Sequence, residues 1–127
     1  MDILLLDDNQ HRITFFQSGL KQHKLTVCRH ASAAIKAIKT RHYDLIFLDH
    51  DLDDATDLDD ENSGSKVARF IADHDVQCDR IILHSENLLG RDSMESILGK
   101  CQSIPYGKLK KMGFHSILKF AGQQKDA

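Results

Sequence analysis

Hydrophobic runs of strand length alternate with helically spaced apolar residues along the whole chain. Ile3 to Leu6 is an unalternating run, as expected for a strand covered on both faces. Ile13, Phe16 and Leu20 then recur at i, i+3 and i+7, which predicts a helix with one apolar face. A short strand at Leu25 to Cys28 leads to a second helix carrying Ala31, Ala34, Ile35 and Ile38. Leu45 to Leu48 is the most hydrophobic strand. Ser63-Gly64-Ser65 offers an N-cap for a third helix that turns Val67, Phe70 and Ile71 inward. Ile81 to Leu83 reads as a fourth strand, and Met94, Ile97 and Leu98 mark a short helix that Gly99 can close. A weak fifth strand is expected within Cys101 to Ile104. After Pro105 comes a last helical stretch, in which Gly113 shifts the register between Leu109/Met112 and Phe114/Ile117/Leu118. Repeated strand–helix units predict an α/β fold, a parallel sheet with helices on both faces joined by right-handed crossovers.

In open sheets of this kind, ligands bind beyond the carboxyl ends of the strands. Here those ends read Asp7-Asp8, Asp49-His50-Asp51 and His84-Ser85. The third strand runs into IFLDHDLDD, and eight of the thirteen residues from Asp49 to Glu61 are acidic. Like charges this close repel unless a cation or solvent relieves them. Asp7, Asp8 and Asp49 are placed to share one divalent cation, with Asp51 as a further candidate ligand. Carboxylate oxygens without a thiolate suit magnesium, manganese or calcium, and magnesium most readily keeps positions for water and a phosphate oxygen.

Composition narrows the function. A chain of 127 residues with 41% hydrophobic content fits one domain, 1–127, with an ordinary core. The net charge of -2 and a pI near 6.4 give the molecule no general attraction to duplex DNA or to an anionic membrane. The basic residues Lys108, Lys110, Lys111 and Lys119 gather towards the C-terminus. Cys28, Cys78 and Cys101 are odd in number and lack CxxC spacing, so neither a disulfide framework nor a cysteine-rich zinc site is expected. A reducing cytoplasm is the expected compartment. The four apolar residues at the N-terminus are too few for a signal peptide or a membrane span.

ILLLDDN, then YDLIFLDHDL, then a strand ending in a hydroxyl residue resemble the receiver domain of bacterial response regulators, in order and over nearly the whole length. The resemblance implies a flavodoxin-like, five-stranded parallel sheet of order 2-1-3-4-5. It also implies that Asp7 and Asp8 hold the metal, that Asp49 accepts a phosphoryl group and that Ser85 is the switch hydroxyl. Three departures stand out. A receiver carries a lysine before the proline ending its fifth strand, and here Ile104 precedes Pro105; Lys100 or Lys108 would have to substitute from nearby. The acidic loop is long, so Gly64 falls late. Histidines adjoin two site positions, His50 after Asp49 and His84 before Ser85. LDHDL together with HSENLLG, His84 to Gly90, resembles the divergent cyclic-phosphate-processing receiver group.

Two function classes follow. As a metal-dependent phosphoesterase, the protein would polarise a cyclic phosphate on a small molecule or nucleotide terminus, with Asp49, His50, His84 and Ser85 as catalytic candidates and imidazole as proton relay. As a stand-alone receiver, it would take a phosphoryl group on Asp49 from a histidine kinase. Each histidine also has a structural reading. Adjacent strand residues alternate faces, so in a regular strand only one of Asp49/His50 and one of His84/Ser85 faces the site. Asn87 reads equally as a turn residue or a ligand. Asp49, Asp51, Asp53, Asp57 and Asp60 also match positions 1, 3, 5, 9 and 12 of a calcium-binding EF-hand loop, but Asp54 stands where that loop needs glycine.

Overall fold

The apolar runs become strands. In the computed structural model, which describes residues 1–52 and 62–125, the chain runs β1 (Asp2–Leu6), α1 (Gln10–Gly19), β2 (Lys24–Cys28), α2 (Ala31–Thr40) and β3 (Leu45–Leu48). It continues with α3 (Gly64–Asp73), β4 (Arg80–Leu83), α4 (Leu88–Leu98), β5 (Gln102–Ser103), α5 (Tyr106–Met112) and α6 (Phe114–Lys125). The pairings between these five strands are parallel, in the order β2-β1-β3-β4-β5. This is the flavodoxin-like arrangement expected from the sequence.

Strand alternation divides the core into two layers. Ile3, Leu5, Leu45, Phe47 and Ile82 pack with Ile13, Phe16, Leu109, Phe114 and Ile117 on the side of α1, α5 and α6. Leu4, Leu6, Ile46, Leu48, Ile81 and Leu83 face Ala31, Ala34, Ile38, Val67, Ile71 and Met94 on the side of α2, α3 and α4. Both faces of the central strands are therefore covered, which explains their unbroken hydrophobicity.

Two helical regions differ from the expected boundaries. α4 starts at Leu88, well before its inward markers, because Asn87 caps it: the Asn87 side-chain oxygen accepts the N–H of Gly90. Its first turn points outwards, with Leu88 60% and Leu89 79% exposed, so apolar periodicity gave no sign of it. The last helical stretch is two helices, separated at Gly113, whose φ of 79° is a conformation that side-chain-bearing residues rarely adopt. Among the described residues, no helix is long and apolar enough to cross a membrane.

Candidate metal and phosphate site

Parallel register brings the ends of β1 and β3 side by side: Leu6 pairs with Leu48, and Asp49 N–H donates to the Leu6 carbonyl at 3.0 Å. Asp7 and Asp8 therefore emerge beside Asp49. Each of these three residues offers a carboxylate oxygen, and the three atoms lie within 4.8 Å of one another. Asp7 and Asp49 are buried and Asp8 is half-buried. Three hard oxygen donors converging at this spacing fit a magnesium or manganese ion, which the site could hold with water completing the shell.

Alternation decides which neighbours join them. Asp7, Asp49 and His84 continue the strand faces of Leu5, Phe47 and Ile82 and so lie on the α1 side. His84 is fully buried, with its ring 5.1 Å from that of Phe16 and 6.2 Å from that of Phe47. Its Nε2 stands 2.9 Å from Asp7 Oδ2. An ionised carboxylate only accepts, so the imidazole proton at this contact belongs to Nε2. The other ring nitrogen, Nδ1, is buried without a hydrogen-bond partner. His84 thus stands behind Asp7, away from the pocket opening.

His50 continues the opposite face. Its ring lies against Gly90 at the start of α4, where a Cβ would overlap the imidazole. Its Nδ1 is 3.1 Å from Asp51 Oδ1, and Asn87 Nδ2 donates to both Asp51 oxygens at 3.2 and 3.3 Å. The structure accordingly gathers His50, Asp51, Asn87 and Gly90 into a clasp between the β3 end and α4. It does not bring His50 or Asp51 into the group formed by Asp7, Asp8 and Asp49. Ser85 lies beyond the end of β4 and does reach the pocket; its Oγ accepts the Asn87 N–H at 3.1 Å.

The pocket, about 360 Å³, is lined by Asp8, Asn9, Arg12, Asp49, Asp51, Ser85, Glu86 and Asn87. Arg12 has no counterpart in the strand-end pattern. Asn9 caps α1 by accepting the Arg12 N–H at 3.0 Å, which sets the arginine one turn above the acids. Its Nε and Nη2 donate to Asp7 Oδ2 and Oδ1 at 2.8 and 3.0 Å, and Nη2 also reaches Asp49 Oδ2 at 3.2 Å. The spacing DDNxxR, an N-cap followed by a base three residues later, was the available signal. Neither Lys100 nor Lys108 lines this pocket. Lys108 borders a different cleft with Arg80, Gln102 and Met112, and Ile104 is buried in the α1-side core.

The two buried acids respond differently to their surroundings. Burial acts to raise Asp7, but hydrogen bonds from His84 and Arg12 outweigh it and hold the carboxyl at about 2. Burial pushes Asp49 above its ordinary value, with the Asp7 charge acting in the same direction, and the opposing influence of His84, of Arg12 and of the His50 backbone does not offset this. The cysteines lie outside this chemistry: burial raises the thiols of Cys78 and Cys101 to about 11. Asp53, Asp57 and Asp60, the remaining acids of the EF-hand alternative, lie outside the described residues.

Residues 2–100 match the cyclic-phosphate processing receiver domain. The fold is similar to that of a two-component response regulator from Clostridium difficile, with a TM-score of 0.75, 18% identity and 98% of each chain covered. It is also similar to TrrA of Thermotoga maritima, determined with Mg²⁺-BeF, at a TM-score of 0.69 and 18% identity, covering 95% of this chain and 99% of that one. A CheY-like receiver domain from Methanospirillum hungatei gives a TM-score of 0.71 at 13% identity, with 98% and 95% covered. No curated protein sequence matches significantly.

Proposed function

This chain belongs to the cyclic-phosphate processing receiver domain family, and from that premise we propose that its strand-end pocket binds a divalent cation and hydrolyses a phosphoester, such as a cyclic phosphate on a small molecule or nucleotide terminus. The observation that carries the proposal is the convergence of Asp7, Asp8 and Asp49 oxygens within 4.8 Å at the wall of a polar pocket. A magnesium or manganese ion held by Asp7, Asp8 and Asp49 would supply Lewis-acid charge for a phosphoryl oxygen and make water more acidic. Asp49, on the wall of the same pocket, would accept the proton of the attacking water. One P–O bond forms to that water, the ring P–O bond breaks, and the proton passes to the departing alkoxide. The Ser85 hydroxyl and the Asn9 side-chain amide, which line the pocket, would be the neutral donors to phosphoryl oxygens. His84 is a positioning residue that orients Asp7. The proposed compartment is a reducing cytoplasm, in keeping with three free cysteines.

A second reading has its own support. Asp49 and Ser85 line one pocket at successive strand ends, the arrangement a phosphoryl-accepting receiver served by a histidine kinase would need. Ile104 weighs against it, since no strand-5 lysine faces the transferring group. The deciding experiment offers acetyl phosphate and a 2',3'-cyclic nucleotide separately, each with magnesium. We expect chromatography to detect metal-dependent opening of the ring and mass spectrometry to find little stable phosphoprotein. A clean, Asp49-dependent phosphoprotein with no ring opening would reverse the assignment.

A further inference from the structure

We propose that Arg12 is a built-in counter-ion that a divalent cation must displace, so that Asp7 and Asp49 hold either the guanidinium or the metal, and that the displaced guanidinium then binds phosphoryl oxygen. The inference rests on the metal site proposed above and concerns what controls its filling. A carboxylate has about four acceptor directions, and those of Asp7 are all taken. Oδ1 accepts from Asn9 N at 2.9 Å and Arg12 Nη2 at 3.0 Å; Oδ2 accepts from Arg12 Nε at 2.8 Å and His84 Nε2 at 2.9 Å. A cation can bond Asp7 only if one donor withdraws.

The donors are not equally able to leave. Asn9 donates from the backbone of the turn that caps α1, and His84 is completely buried beside Phe16 and Phe47. Arg12 is 26% exposed and stands on the pocket wall, so its side chain can rotate away without disturbing the core. The same Nη2 also binds Asp49 Oδ2, so it lies between two of the three carboxylates that a metal would share. Two cations in that space would repel strongly at low dielectric.

The displaced group has a nearby support. While still paired with Asp7, the guanidinium carbon is 5.9 Å from the centre of the Tyr106 ring, at the start of α5, so an aromatic face able to stabilise a cation is already within reach of the group. Arg12 is also the one basic side chain among the described residues lining the pocket. Released from Asp7, its charge stays at the pocket edge, where a bound phosphoryl group would need one and Ile104 supplies none.

Manganese binding to the full-length, metal-free chain, measured by calorimetry and by electron paramagnetic resonance of the ion, tests the displacement directly. Arg12→Gln is expected to bind Mn²⁺ at least about tenfold more tightly than wild type, equivalent to about 1.4 kcal/mol. Arg12→Lys should fall between them, because it keeps the charge but cannot bridge two carboxylates in the same way. With manganese saturating, inorganic phosphate should bind Arg12→Gln about tenfold more weakly than wild type, the opposite sign. If wild type binds manganese and Arg12→Gln binds it equally or less tightly, the displacement is wrong while the metal site stands. If neither binds manganese, both fall. Phosphate affinity that survives Arg12→Gln overturns the anion role. Should Arg12→Gln fail to fold without metal, as seen by circular dichroism, Arg12→Lys decides: affinity no tighter than wild type overturns the displacement.

Discussion

Asp7 and Asp49 share one site yet balance their charges in opposite ways, and substitution should separate them. Asp7 is held at about 2 against an ordinary 3.8, a difference worth roughly 2 kcal/mol of folding stability. Because the folded value is the lower one, that stability is complete above 3.8 and is lost as pH falls towards about 2. Metal-free wild type should therefore lose stability steeply over that acid window, and Asp7→Asn should start about 2 kcal/mol lower at neutral pH and show a flatter profile, as followed by urea denaturation. Asp49 has the reverse sign: burial raises its folded value, so its ionisation opposes folding at neutral pH. Asp49→Asn should raise the melting temperature of the metal-free protein while removing the thermal shift expected from manganese in wild type. Equal destabilisation by both substitutions would contradict this picture. The three acids were legible because each terminates a hydrophobic run, and parallel strands bring such termini together. Arg12 was not legible in that way, since its position depends on the Asn9 cap and on a long side chain reaching back from α1. The histidines were ambiguous for one reason: alternation says that neighbours part company, but not which one the sheet turns inwards.

Two glycines control how helices meet the strand ends. A Cβ at Gly64, the first residue of α3, would overlap the backbone carbonyl oxygen of Asp49, and backbone cannot rotate aside as a side chain can. A Cβ at Gly90 would instead overlap the His50 ring. Gly64→Ala should thus displace Asp49 itself, costing roughly 1–3 kcal/mol of stability and weakening metal binding. Gly90→Ala should cost a similar roughly 1–3 kcal/mol, but the loss should be recovered largely when His50→Ala is added, because the clash is with a removable ring. A double-mutant cycle by thermal denaturation checks this; no coupling between residues 50 and 90 would rule out the contact. At this scale HSENLLG becomes explicable. His84 supports Asp7, Ser85 lines the pocket, Asn87 caps α4 and holds Asp51, and Gly90 admits His50. Strands and most helices could be read from periodicity because burial imposes it. The start of α4 escaped because its first turn is exposed and its signal is a cap, while β5 was weak because it has only two residues, both half-buried.

The family match ends at residue 100, but the α1-side core does not. Ile104, Leu109, Phe114 and Ile117 are buried there beyond that point, and burying such side chains contributes roughly 1.5–3 kcal/mol each. Together they rival the net stability of about 5–15 kcal/mol typical of a whole domain. A chain ending at Lys100 should accordingly show no cooperative thermal transition, whereas wild type should melt in one; a cooperative transition in the shortened chain would refute this. Phe114 also closes against Gly19, where a Cβ would overlap its ring, so α1 and α6 are matched by shape as well as by hydrophobicity. The sheet order, too, was legible only through the resemblance, since periodicity specifies strands and not their neighbours. That order leaves β2 and β5 as the two margins of the sheet, and they are unequal. β5 pairs through only Gln102 and Ser103 before Pro105 ends it, whereas β2 runs for five residues from Lys24 to Cys28. An intermolecular sheet grows from unpaired main-chain groups and is discouraged by short margins, proline and lysine. Fibrillar self-assembly therefore has little purchase at the β5 margin, and any such tendency in a loosened form of the protein belongs to the β2 side, where Lys24 is the sole charged residue in the strand.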